Sequence, residues 1–196
     1  PDRGSILVDG KDITKLGQSA LNQVRRKFGV LFQGAALLDS MTVYDNVAFP
    51  LRERTRLKEP DIEKKVNESL GQVGLAGMAN KFPAEVSGGM KKRAGLARAL
   101  VTQPEIMLFD EPTTGLDPLL GKSIHQLIRK MHEAFNFTGV IVSHDIPEVF
   151  RISDRIPILA DGTIAEVGST EEMIASKNPV VRQFLQVDTE GPITVL

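Results

Sequence analysis

Several short stretches of this sequence combine residues that could bind an anion, hold a metal or direct a water molecule. Ile106-Met107-Leu108-Phe109-Asp110-Glu111 is an apolar run that closes on two acids. Ligands of open parallel sheets bind beyond the carboxyl ends of the strands, so the two acids stand where a ligand would sit. A nucleotide site there would use Asp110 to hold magnesium through water and Glu111 to orient an attacking water. The same pattern also describes a strand that merely stops at polar residues. Val86-Ser87-Gly88-Gly89-Met90-Lys91-Lys92-Arg93 opens a helical pattern running to Leu100. Ser87 can cap it, the glycines permit close backbone approach, and a helix N-terminus offers free N–H groups to an anion. An ordinary glycine-rich cap looks the same. Lys91, Lys92 and Arg93 read as a solvated basic face rather than as phosphate ligands.

Three further positions complete the set. Thr114-Gly115-Leu116-Asp117-Pro118 follows the two acids, and Asp before Pro is a good helix cap in its own right. His144, in Val142-Ser143-His144-Asp145, closes the next apolar run, where an imidazole could serve the same sheet edge or simply hydrogen-bond at the surface. Gln33 ends Gly29-Val30-Leu31-Phe32-Gln33 and could reach a metal or a water, or be structural.

Those positions need a scaffold. Short runs rich in β-branched residues predict strands at Ser5–Asp9, Phe28–Gln33, Glu105–Asp110, Gly139–Ser143, Ile156–Ala160 and Thr163–Val167. Ile62, Val66, Leu70 and Val73 share one helical face, and Leu120, Ile124, Leu127, Ile128, Met131 and Phe135 share another. Two continuously apolar strands joined by a long helix predict a buried parallel βαβ unit, hence an α/β core. Asp161-Gly162 predicts a tight antiparallel hairpin between the last two strands. The stretch 46–100 is mainly helical and predicts a helical subdomain, within a single domain over 1–190 followed by a tail over 191–196.

Bulk properties narrow the classes. The 196 residues, 41% hydrophobic, suffice for one sizeable core. Lys plus Arg number 24 against 25 for Asp plus Glu, so no global field draws the chain to nucleic acid. With no cysteine there is neither a disulfide framework nor a thiolate metal site. No apolar run is long enough to cross a bilayer, and Pro1-Asp2-Arg3-Gly4 opens no signal peptide. The chain does not begin with Met, which suggests a start inside a longer parent.

In their order and spacing these motifs resemble the nucleotide-binding domain of ABC transporters. Gln33 matches the family's Q-loop, Ser87-Gly88-Gly89-Met90 its signature, Asp110 and Glu111 its Walker B acids, Gly115-Leu116-Asp117 its D-loop and His144 its switch histidine. The resemblance implies a P-loop NTPase fold with a parallel sheet core, a helical subdomain and a C-terminal antiparallel hairpin. It implies ATP and Mg2+ as cofactors, with Glu111 as water-orienting base and His144 on the γ-phosphate and attacking water. Gln33 and Asp110 would serve the metal, Ser87, Gly88 and Gly89 a partner's ATP, and Asp117 the contact across the dimer. Implied partners are a second, head-to-tail ATPase subunit and transmembrane permease subunits, on the cytoplasmic face of a membrane, with no nucleic acid.

One departure from the family pattern matters. No GxxxxGK[ST] phosphate loop occurs in these residues; Gly115 to Ser123 is a near miss with one residue too many. The resemblance therefore implies an N-terminally truncated domain, inactive alone, with apolar sheet surface uncovered. Within the family, Leu31-Phe32-Gln33-Gly34-Ala35-Ala36-Leu37, the stretch 45–53, Ile146-Pro147-Glu148-Val149 and 181–185 are similar to ATPases of Mla-type phospholipid transport, which work with an MCE-domain lipid-binding protein. A small-molecule importer ATPase, for amino acids for example, a non-transport ABC ATPase and a non-catalytic binding module are the other readings.

Overall fold

A computed structural model describes residues 1–186 and 191–192, so 187–190 and all of the expected tail beyond Pro192 lie outside the described residues. The described chain forms two compact units, Pro1–Val142 and Ser143–Leu196.

The first unit opens with β1 (Leu7–Val8) and β2 (Lys11–Asp12), which pair antiparallel across Asp9 and Gly10. Both turn residues have positive φ, 49° and 73°, the geometry that suits a tight hairpin. The strand expected at Ser5–Asp9 thus shortens to two residues and stays out of the parallel sheet, because its next pairing partner is only a turn away. After α1 (Gln18–Arg25) comes β3 (Phe28–Leu31), then three helices: α2 (Val43–Arg54), α3 (Glu59–Gln72) and α4 (Gly88–Leu100). They pack on one another through Val47, Leu51, Ile62, Val66, Leu70, Leu96 and Leu100, all buried, and form a helical layer. The unit continues with β4 (Ile106–Asp110), α5 (Pro118–Phe135) and β5 (Thr138–Val142).

Strands β3, β4 and β5 form a parallel sheet in that order, with Leu31 opposite Phe109 and Asp110 opposite Val142. The long helix α5 is the crossover, and its face of Ile124, Leu127, Ile128 and Met131 is buried as the periodicity predicts. His125 is buried on the same helix, which no sequence pattern indicated. Gly29 is needed where it is. A Cβ there would collide with Met107 Sδ and come within 2.6 Å of the Ala99 carbonyl oxygen, so glycine lets α4 lie directly on β3.

The second unit contains α6 (Ile146–Ile152), β6 (Ile156–Ala160), β7 (Thr163–Gly168), α7 (Thr170–Ala175) and α8 (Pro179–Gln186). Strands β6 and β7 are antiparallel around Asp161-Gly162, whose φ values of 46° and 73° are those of a type I′ turn. Phe150, Ile156, Ile158, Met173 and Val181 make its own small core.

Candidate functional site

The sheet places the two acids as expected. Asp110 is the last residue of β4 and is exposed, while Glu111 steps off the strand with φ 45°. A left-handed backbone at a non-glycine residue costs about 1 kcal/mol and persists only where neighbours hold it. Here the Glu111 N–H donates to the Val142 carbonyl at 2.9 Å, and its own carbonyl accepts the Thr114 N–H at 3.3 Å. The Thr114 hydroxyl donates to Glu111 Oε2 at 3.0 Å, so the carboxylate is oriented as well as its main chain.

Helix α4 begins at Gly88 because Ser87, with extended backbone at φ −66° and ψ 163°, accepts the Met90 N–H at 3.3 Å. Ser87 and Gly88 are exposed and Gly89 is buried. A Cβ on Gly88 would stand 3.5 Å from Leu116 and one on Gly89 3.7 Å from Leu120, which places the start of α4 against the Leu116–Leu120 turn. Asp117 lies in that turn, exposed, and caps α5 by accepting the N–H groups of Leu119 and Leu120, each at 3.0 Å. Its cap role is thus visible in the fold.

The basic run after the glycines is not the solvated face its composition suggests. Lys92 is 5% exposed, and its ammonium donates to the main-chain carbonyl of Gln33 and, at 3.4 Å, to that of Glu111. Burial pulls its pKa below the ordinary value, while the negative charges of Glu111 and Asp110 act in the opposite direction. Arg93 donates to the Val73 carbonyl at 2.9 Å and to Ser123 Oγ at 3.3 Å. Lys91, between them and the glycines, is half-buried. The reason is packing: α4 is buried along most of its length, so a basic residue on its inner side must find acceptors within the fold.

Gln33 has an exposed side chain at the start of a loop whose next turns, Ala35 and Ala36, take φ 60° and 47°. Arg98 of α4 secures them, donating to the Ala36 carbonyl at 2.6 Å and the Ala35 carbonyl at 2.7 Å. Sequence reasoning did not reach Arg98 or the tie of Thr114 to Glu111; a basic residue within the apolar second half of α4 is the signal that could have found the first.

His144 follows β5 by two residues and belongs to the second unit, where its carbonyl accepts the Ile146 N–H at 3.0 Å. Among the described residues no three His, Cys, Asp or Glu side chains cluster as a metal cage. The donors at hand, the Asp110 carboxylate and the Gln33 amide, are hard oxygens of the kind magnesium takes, one or two at a time, beside phosphate and water. They fit a metal that arrives with its nucleotide. No helix among the described residues is long and apolar enough to cross a membrane.

The family model described as "ABC transporter" matches residues 1–114. The chain belongs to the ABC transporter family. It is 44% identical over 193 residues to the "intermembrane phospholipid transport system ATP-binding protein MlaF" of Haemophilus influenzae, covering 98% of this chain and 73% of that protein. It is 48% identical to the "probable ribonucleotide transport ATP-binding protein mkl" of Mycobacterium bovis, of which it spans only 54%. Among solved structures it resembles cbiO1 from Clostridium perfringens, part of the transporter complex cbiONQ, with TM-score 0.82, 30% identity and coverage of 95% of this chain and 74% of that one. It also resembles the ATP-binding cassette MJ0796 in a dimeric post-hydrolysis state bound to ADP and Pi, with TM-score 0.77, 34% identity and coverage of 87% and 75%. Within its family, then, this is an ATP-binding subunit of the ATPase type.

Proposed function

We propose that this chain supplies the Walker B, signature, Q-loop, D-loop and switch elements of an ATPase that drives phospholipid movement between membranes. The observation that carries the site assignment is that β4 ends in Asp110 and an oriented Glu111, tied through Lys92 to the loop of Gln33 and to the helix that starts at Ser87. On this reading Glu111 orients and deprotonates the attacking water, and Asp110 with Gln33 holds Mg2+, which when bound neutralises phosphate charge. The Ser87, Gly88 and Gly89 end of α4 meets the γ-phosphate held by a second, head-to-tail ATPase subunit. Asp117 lies at that dimer contact and His144 reaches the γ-phosphate and water. Both units are parts of one domain over 1–190, with 46–100 as its helical subdomain. ATP turnover is proposed for the whole protein, since no GxxxxGK[ST] lies in these 196 residues.

The phospholipid cargo is supported by the 44% identity to a protein named for it. It brings with it permease subunits, an MCE-domain partner and a place on the cytoplasmic face of the membrane. A ribonucleotide cargo is the second reading, favoured by the 48% identity to the mycobacterial relative. Two measurements test the proposal. In the whole protein, Glu111→Gln should bind MgATP yet lower kcat by about a hundredfold or more, since water activation alone is lost; near-normal turnover would remove Glu111 from its role. In vesicles carrying the assembled transporter, ATP should move labelled phospholipid between membranes, and ATP-driven uptake of labelled ribonucleotide instead would decide for the other cargo.

A further inference from the structure

Three residues one helical turn apart on α4, Lys92, Gly95 and Arg98, all meet the segment from Leu31 to Ala36. Gly95 brings the helix backbone so near that a Cβ would lie 2.9 Å from Leu31 Cδ1 and 3.1 Å from Ala35 Cβ. Arg98 and Lys92 take the carbonyls of Ala36, Ala35 and Gln33. Lys92 alone also reaches across to the carbonyl of Glu111, joining segments 59 and 19 residues away in sequence. A buried ammonium keeps its charge only where acceptors replace water. It faces two main-chain carbonyls directly, with the Asp110 and Glu111 carboxylates as the nearby charges acting on it.

We propose that Lys92 is a positioning residue that ties the main chains at Gln33 and Glu111 to helix α4, so that the metal-side loop, the water-orienting acid and the anion-binding helix end keep one arrangement. It touches no reacting atom. Its effect is that α4 cannot shift without carrying both loops along, and neither loop can relax while the helix stays in place. The proposal rests on the hydrolytic assignment of Glu111 made above.

The test uses the whole protein and the variants Lys92→Met, which keeps the length of the side chain but no donor, and Lys92→Arg, which keeps charge and donors. Without nucleotide, amide hydrogen exchange at 33–36 and 111–114 should quicken roughly tenfold in Lys92→Met and stay near wild type in Lys92→Arg, with β6 and β7 unchanged in both. With MgATP, Lys92→Met should lower kcat roughly tenfold while KM stays within about threefold, and Lys92→Arg should restore most of the rate. If Lys92→Met does not fold, Lys92→Gln serves instead: its amide keeps two N–H donors but is one atom shorter and uncharged, so the hold on the two carbonyls weakens, exchange must quicken in at least one loop and kcat must fall. Unchanged exchange and turnover in Lys92→Met or Lys92→Gln would overturn the proposal, as would an Arg variant as impaired as the Met variant. Glu111→Gln in the same assay separates the two claims. If it has lost turnover while Lys92→Met has not, only the Lys92 role fails; if it turns over normally, the hydrolytic assignment fails, whatever the exchange at Lys92 shows.

Discussion

Asn46 shows how much one polar side chain can decide. It is fully buried, accepts the Leu38 N–H at 2.8 Å, and donates to the carbonyls of Leu38, Met41 and Thr42 at 3.0 to 3.2 Å. The segment 38–42 therefore has its polar groups satisfied by a residue of the following helix. Asn46→Ala strands several of those groups away from water, and an unpaired buried donor or acceptor costs about 1–3 kcal/mol. Urea unfolding should show a loss of about 2 kcal/mol or more, with an unchanged slope against denaturant. A loss within a few tenths of a kcal/mol would mean that water replaces the amide at no cost.

At the scale of elements, helices α2 and α3 are joined by Arg52, which donates to Asp45 at 3.0 Å and to both carboxylate oxygens of Glu59 at 3.0 Å. The Thr42 hydroxyl donates to Asp45 at 2.7 Å and, with the Arg52 guanidinium as the next cause, holds that carboxyl below its ordinary value of 3.8. A carboxyl whose folded-state pKa is depressed binds protons less readily folded than unfolded. Its contribution is present above the unfolded value and is lost as pH falls through the lower folded value. The stability gap between wild type and Asp45→Asn should thus be constant near neutrality, begin to close as pH drops past about 3.8, and vanish at more acidic pH. Denaturant titrations across that range check it; a gap that widens on acidification would have the sign wrong. Because the pair is partly exposed, salt should shrink the gap as well.

On the scale of the molecule, the parallel sheet is unevenly covered. Parallel strands are ordinarily buried on both faces, yet on β5 Val140 is 51% and Val142 61% exposed, and among the described residues β5 pairs only with β4. An open strand edge bearing apolar side chains is a template for pairing with another chain. The 196-residue polypeptide should self-associate as its concentration rises, followed by light scattering or sedimentation, and Val142→Lys should weaken that association. A monomer at all concentrations would show that the edge is masked in solution.

Strands β3 to β7, the βαβ crossover and the tight hairpin at Asp161-Gly162 are legible in the sequence, because alternation, helical periodicity and turn chemistry are local properties. The residues proposed for the site, Gln33, Ser87 to Gly89, Asp110, Glu111, Asp117 and His144, are likewise legible in the sequence as types at spacings. The short pairing of β1 with β2 was not legible, since a run of apolar residues does not say which partner it will find. Nor was the burial of His125, one polar position on an apolar face. The clearest case is Lys91-Lys92-Arg93, where composition alone indicates solvent. Only packing settles which of three adjacent side chains points inward, and there Lys92 meets carbonyls from loops 59 and 19 residues away. Those contacts come from the tertiary fold alone, because the partners are distant in the chain and are backbone groups, which every residue carries and no pattern of side chains reveals.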